Sequence, residues 1–158
     1  MEPAFLRVAI QLAVDSVAAG GGPFGAIVVR DGEIVGRGRN AVVPNADPTA
    51  HAEVEAIRDA CRALGTHTLA GCVLYSSCEP CPMCHAAARW ARIDAVHFAA
   101  TRHDAADAGF LDAELYRELA RPGDASAGDE TARDAPLSRD DALAPFRAWD
   151  AKDDRTAY

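Results

Sequence analysis

Two short clusters, far apart in the chain, constrain the fold more than any other feature, because they make chemical sense only if they meet. The first is Thr49-Ala50-His51-Ala52-Glu53 and the second is Pro80-Cys81-Pro82-Met83-Cys84. An imidazole and two thiolates are the ligand types a tetrahedral zinc ion prefers. The chain between them must therefore leave one point and return to it. Both clusters fall where helices should begin. Asp47-Pro48-Thr49 reads as a helix entrance with Thr49 as the N-cap, and that helix should run to about Leu64 and stop at Gly65. Pro80 and Pro82 mark a turn and a second helix start. Cys81 and Cys84 are three apart, so one turn brings both sulfurs to one side. His51 and Glu53, two apart, would diverge in mid-helix but can both lean toward a ligand lying off a helix tip. The positive ends of two helices would then converge on the metal and favour thiolate.

His51, Cys81 and Cys84 give three protein ligands, and a catalytic zinc site uses three and leaves one position open. Water in that position becomes acidic enough to ionise near neutral pH. Glu53 is then the expected proton shuttle, taking a proton from water and passing it to a ring nitrogen and to a departing amine. The order H-x-E…P-C-x-x-C is the signature of zinc nucleobase deaminases. Either half alone is weak, because Cys-x-x-Cys also occurs in redox and structural zinc motifs. The plainer alternative is a closed structural site using Cys78, Cys81, Cys84 and one further ligand. It would leave Glu53 without a role.

The rest of the chain reads as one α/β domain. Apolar residues at helical spacing (Phe5, Val8, Leu12, with Ala9 and Ala13) predict a helix over 4–18, ended by Gly20-Gly21-Gly22-Pro23. Ala26–Arg30 and Ile34–Arg39 read as a hairpin about Asp31-Gly32. Val73-Leu74-Tyr75 and Ala95–Ala99 are further strands, and residues 112–120 a further helix. The expectation is a three-layer α/β/α domain whose mixed sheet starts in an antiparallel hairpin. Residues 1–120 form the core. Residues 121–141, rich in Pro, Gly, Ala, Ser and acidic residues, read as a mobile loop. Residues 142–158 regain apolar character and read as a C-terminal helix and tail packed across a dimer interface.

Charge narrows the partners. The chain of 158 residues carries a formal net charge of -8, which disfavours nucleic acid, since binding a polyanion needs clustered basic residues. No apolar run approaches a membrane span, and Met1-Glu2-Pro3 lacks the basic start of a signal peptide. Five cysteines gathered about a metal motif suit a reducing cytoplasm better than a disulfide framework.

Four stretches carry a resemblance: Gly21-Gly22-Pro23-Phe24-Gly25-Ala26, Asn45 to Val54, Ser77 to Cys84, and Asp104-Ala105-Ala106-Asp107-Ala108-Gly109-Phe110. With Pro145-Phe146-Arg147-Ala148-Trp149 and Tyr158, they resemble the cytidine deaminase-like superfamily and, within it, bacterial guanine deaminases. The likeness lapses over 121–141. It implies hydrolysis of guanine to xanthine and ammonia in purine catabolism or salvage, one zinc per subunit, and a homodimer whose C-terminal segments cross. It also implies that His51, Cys81 and Cys84 hold zinc, that Glu53 moves protons, that Asn40 contacts substrate, that Asp112 contacts the ring and serves as a second shuttle, and that Tyr158 closes the pocket. The runner-up is another deaminase on the same frame, acting on tRNA adenosine, cytosine or guanosine.

Each of the outer assignments has a plainer rival. Asn40 could serve only to cap a turn, and Asp112 only to cap a helix. Phe24 and Trp90 are candidate stacking platforms for the base, or core residues. Tyr158 could be a loose end. Cys78 and Glu79 are read as supporting the zinc loop, and Cys61 and Cys72 as core.

Overall fold

The computed structural model describes residues 2–120, 143–154 and 156. Two compact units are distinguished, Met1–Glu118 and Leu119–Tyr158, and each is taken by itself.

The first unit is built on a four-stranded sheet. It opens with helix α1 (Pro3–Ala18), whose first turn contains the proline that a helix start tolerates. Strands β1 (Gly25–Arg30) and β2 (Glu33–Arg39) follow as an antiparallel hairpin. Its turn is Asp31-Gly32, both at positive φ, the conformation that matches the twist of a tight hairpin. After a short helix α2 (Val42–Asn45) come α3 (Ala52–Leu64), β3 (Cys72–Cys78), α4 (Pro82–Trp90), β4 (Ala95–Ala100), α5 (Arg102–Asp107) and α6 (Asp112–Leu119). The strand order is β2-β1-β3-β4. β3 pairs antiparallel with β1, Val28 opposite Leu74, and parallel with β4, so the sheet is mixed.

Alternate residues of the inner strands face two helical layers. Ile27, Val29 and Tyr75 pack against Phe5, Leu6, Val8 and Leu12 of α1. Ala26, Val28 and Leu74 face the opposite way, onto Ala52, Ala56 and Ala60 of α3 and Ala88 of α4. Fully covered strands explain why β1 and β3 read as near-continuous apolar runs. β2 lacks side chains where α3 crosses it. A Cβ on Gly38 would fall inside the Ala52 carbonyl, and one on Gly36 inside the Ala56 carbonyl. These two glycines let the helix backbone lie directly on the strand.

The elements depart from the sequence reading in four places. α3 starts at Ala52 with His51 as N-cap, not at Thr49. The Thr49 backbone N–H and hydroxyl both donate to Asp47 Oδ1, at 2.8 and 2.7 Å, so that side chain closes a turn before the helix begins. β3 extends to Cys78. α2 and α5 are additions to the expected elements. α5 carries a capping box between Thr101 and Asp104, a signal present in the sequence. In the second unit the described helix is α7 (Ala144–Asp150), with Phe146 65% and Trp149 38% exposed. The expected loop 121–141 and the residue Tyr158 lie outside the described residues. Among those described, no helix is long and apolar enough to cross a membrane.

Candidate active site

The strand β3 carries the chain from one cluster to the other. His51 caps α3 and Cys81 caps α4, both in extended backbone, and Cys84 lies one turn into α4. The two helix N-termini meet as the sequence required. His51 Nδ1 stands 3.6 Å from Cys81 Sγ and 3.5 Å from Cys84 Sγ, and the two sulfurs are 3.6 Å apart. Zinc–sulfur bonds of about 2.3 Å and zinc–nitrogen bonds of about 2.0–2.1 Å in a tetrahedron give edges of about 3.5–3.8 Å. The triangle therefore fits zinc. Among the described residues, these three form the one cluster able to hold a metal ion, which leaves a tetrahedral position for a non-protein ligand. Cys78 stands apart from it. That thiol is buried and donates to the Thr101 carbonyl at 3.4 Å.

Charge supports the same use. The hydrogen bond with Cys84 draws the Cys81 thiol down to about 4, with His51 adding to the effect. The shared hydrogen bond and burial push Cys84 up. Cys81 is thereby the thiol favoured as thiolate, and binding a doubly charged cation requires Cys84 to lose its proton as well.

Glu53 is the second residue of α3 and only 4% exposed. Its Oε1 accepts a hydrogen bond of 2.8 Å from the buried Ser76 hydroxyl on β3. Burial raises its pKa, and the hydrogen bonds it accepts oppose that rise in part. A buried carboxylate with raised proton affinity beside a metal triangle is the arrangement expected of a general base.

These groups open onto a cavity of about 220 Å³. Its wall includes His51, Glu53, Cys81, Asn40, Phe24 and Phe110, together with Val42, Val43 and Glu79. Asn40 Oδ1 accepts from the Gly22 N–H at 3.1 Å, so its amide nitrogen is the end left to meet a ligand. The Phe24 and Phe110 rings meet edge to face, with centroids 4.8 Å apart. Glu79 is bonded to Arg102, whose side chain approaches Oε1 at 2.5 Å while its backbone N–H donates to Oε2 at 3.0 Å. That bonding holds the carboxyl of Glu79 below its ordinary range.

Of the residues expected at the site, His51, Cys81, Cys84, Glu53, Asn40 and Phe24 are brought together. Trp90 is not among the residues lining this cavity. It ends α4 and is 67% exposed. Asp112 begins α6, and its side chain, like Tyr158, lies outside the described residues. Sequence reasoning missed Ser76, Phe110, Val42 and Val43. Ser76 had one faint signal, a small polar residue in an apolar strand.

Residues 2–100 match the family model of the cytidine and deoxycytidylate deaminase zinc-binding region. The chain belongs to this deaminase family. Zinc is the metal of that region, and the triangle could hold one such ion per chain. Among family members, a guanine deaminase of Bacillus subtilis (strain 168) is 50% identical over 146 residues, which span 92% of this chain and 91% of that protein. A crystal structure of guanine deaminase from Bacillus subtilis superposes with a TM-score of 0.89 at 46% identity, covering 100% of this chain and 99% of that one. A tRNA-specific adenosine deaminase of Aquifex aeolicus is 48% identical over 96 residues, 61% of this chain and 64% of its own length. The three-layer α/β frame with its mixed sheet is thus the deaminase fold.

Proposed function

We propose that this deaminase hydrolyses guanine to xanthine and ammonia. The observation that carries the reading is the open His51–Cys81–Cys84 triangle beside buried Glu53, in a chain that follows a guanine deaminase over nearly its full length. Zinc supplies the acidity that lets water attack near neutral pH. Glu53 accepts the proton of the attacking water and delivers it to the ring nitrogen beside the reacting carbon. It then takes the second water proton from the new C–OH group and passes it to the amino group, so that the carbonyl forms as ammonia leaves. One water is consumed, one C–N bond breaks and one C–O bond forms. Ser76 holds the Glu53 carboxylate in place during both transfers.

The cavity favours a free base. At about 220 Å³ it lies below the range of about 300–1,000 Å³ typical of drug-sized ligands. Phe24 and Phe110 offer flat apolar surface to a purine. The Asn40 amide nitrogen can donate to an acceptor on it. We assign Asp112 to the donor edge of guanine, because an ionised carboxylate only accepts hydrogen bonds. Tyr158 closes the pocket in this reading, whereas Trp90, exposed at the end of α4, stays outside it.

A homodimer with crossing C-terminal segments is part of the same proposal. It is supported by Phe146 and Trp149, exposed on α7, which a second copy would cover. Cytoplasmic residence is supported by five free cysteines.

The test is ammonia release from guanine, guanosine, adenine and cytosine, with xanthine followed by its absorbance. Turnover of guanine with little of the others is the expected result. Turnover of adenine or cytosine with guanine inert would overturn the substrate assignment.

A further inference from the structure

Beside the reacting groups lies a second cluster that takes no part in the proton transfers. It comprises Glu79, Arg102 and Tyr116. Glu79 and Pro80 are the two residues that lead into the ligand Cys81. Both are gripped from elsewhere in the chain. Arg102, at the start of α5, binds both Glu79 oxygens, one through its guanidinium and one through its backbone N–H. The guanidinium also lies over the Tyr116 ring, 3.8 Å from its centroid. The Tyr116 hydroxyl, on α6, donates to the Pro80 carbonyl at 2.7 Å. Glu79 is mostly buried, with 16% of its side chain exposed, and Arg102 shows 32%. The Glu79 N–H adds a bond to the Ala100 carbonyl at the end of β4.

We propose that Arg102 and Tyr116 form a clasp that fixes the loop carrying Cys81, making them positioning residues for the metal centre. The clasp explains several facts together. A proline on each side of Cys81 restricts φ but removes backbone N–H groups that could have anchored the loop. Side chains from α5 and α6 supply the anchoring instead. A grip on both carboxylate oxygens fixes direction as well as distance. Tyr116 both stacks on that guanidinium and holds the next carbonyl, so the two contacts reinforce one another. The same clasp ties α6, which starts at Asp112, to the metal loop. The inference rests on the zinc reading of the triangle and not on the choice of substrate.

The experiment measures zinc release from the full-length zinc-loaded protein to a chromogenic chelator, and the visible spectrum of the cobalt-substituted protein. Arg102→Ala should release zinc about tenfold faster or more, the scale seen when groups supporting metal ligands are removed. Its cobalt bands should shift or broaden. Arg102→Lys should restore only part of the effect, because an ammonium lacks the planar face that stacks on Tyr116 while it reaches the carboxylate. Tyr116→Phe keeps the ring and loses only the bond to Pro80, so it should accelerate release by a smaller factor. This variant keeps the test intact should Arg102→Ala fail to fold. A wild-type release rate and unaltered cobalt bands in Tyr116→Phe and Arg102→Lys would overturn the clasp, even if melting temperatures fell. A wild-type chain that takes up no zinc would instead overturn the metal reading beneath it.

Discussion

Glu53 and Glu79 are two carboxyl groups on one cavity, and their surroundings set them apart. Glu53 is enclosed by β3 and α3, with one hydroxyl donor on its side chain. Burial favours its protonated form. Glu79 is held ionised by a guanidinium. Only the first is suited to take up and release a proton within a turnover. Glu53→Gln keeps the shape and the contact with Ser76 but cannot carry the proton. It should lower kcat by about 10²–10⁴ while zinc content stays near one per chain, measured by metal analysis beside steady-state rates. Normal turnover in that variant would remove Glu53 from the mechanism.

At the scale of elements, the site depends on how closely α3 lies on the sheet. Gly38 faces the Ala52 carbonyl at the first turn of α3, one residue from His51 and one from Glu53. Gly38→Ala forces that turn away from β2. The cost should be about 1–3 kcal/mol or more, as for other overpacked sites, read by chemical denaturation. Zinc affinity should fall as well, because His51 moves with the helix. A variant that keeps wild-type stability would show that α3 can slide without penalty.

Much at this scale was legible in the residues themselves. Prolines and glycines placed α1, the hairpin, α3 and α4 to within a few positions, and the two clusters required their helix ends to meet. What escaped has two physical causes. Thr49 has the composition of an N-cap, yet Asp47 captures its hydroxyl. The pairing of Glu79 with Arg102 joins residues 23 apart with no periodicity to announce it. Ser76 matters only because the fold turns it toward Glu53. The contacts of Glu79 and Ser76 belong to tertiary structure, of which local pattern carries little trace, whereas the Asp47–Thr49 turn is local and competes with the helix cap that Thr49 suggested. The ligand triad, by contrast, announces itself through residue type and spacing, which zinc chemistry dictates before any fold exists.

At the scale of the whole molecule, metal binding and folding are linked. An ion that binds only the folded chain stabilises it by about 4 kcal/mol when free zinc stands about a thousandfold above its dissociation constant. At about 2–4 °C per kcal/mol, stripping zinc with a chelator should lower the melting temperature by on the order of 10 °C. Thermal denaturation with and without added zinc checks this, and coincident curves would sever the link. The net charge of -8 acts at the same scale by opposing long-range attraction to polyanions. Strand β3 has a final consequence, since it lies between its neighbours in the sheet and divides His51 from the cysteine pair in the sequence. Before the sheet assembles, an ion at Cys81 and Cys84 has Cys78, Glu79 and His85 nearby in the chain but not His51. The complete cradle comes into being only with the architecture around it, so its affinity for the metal is acquired with the fold.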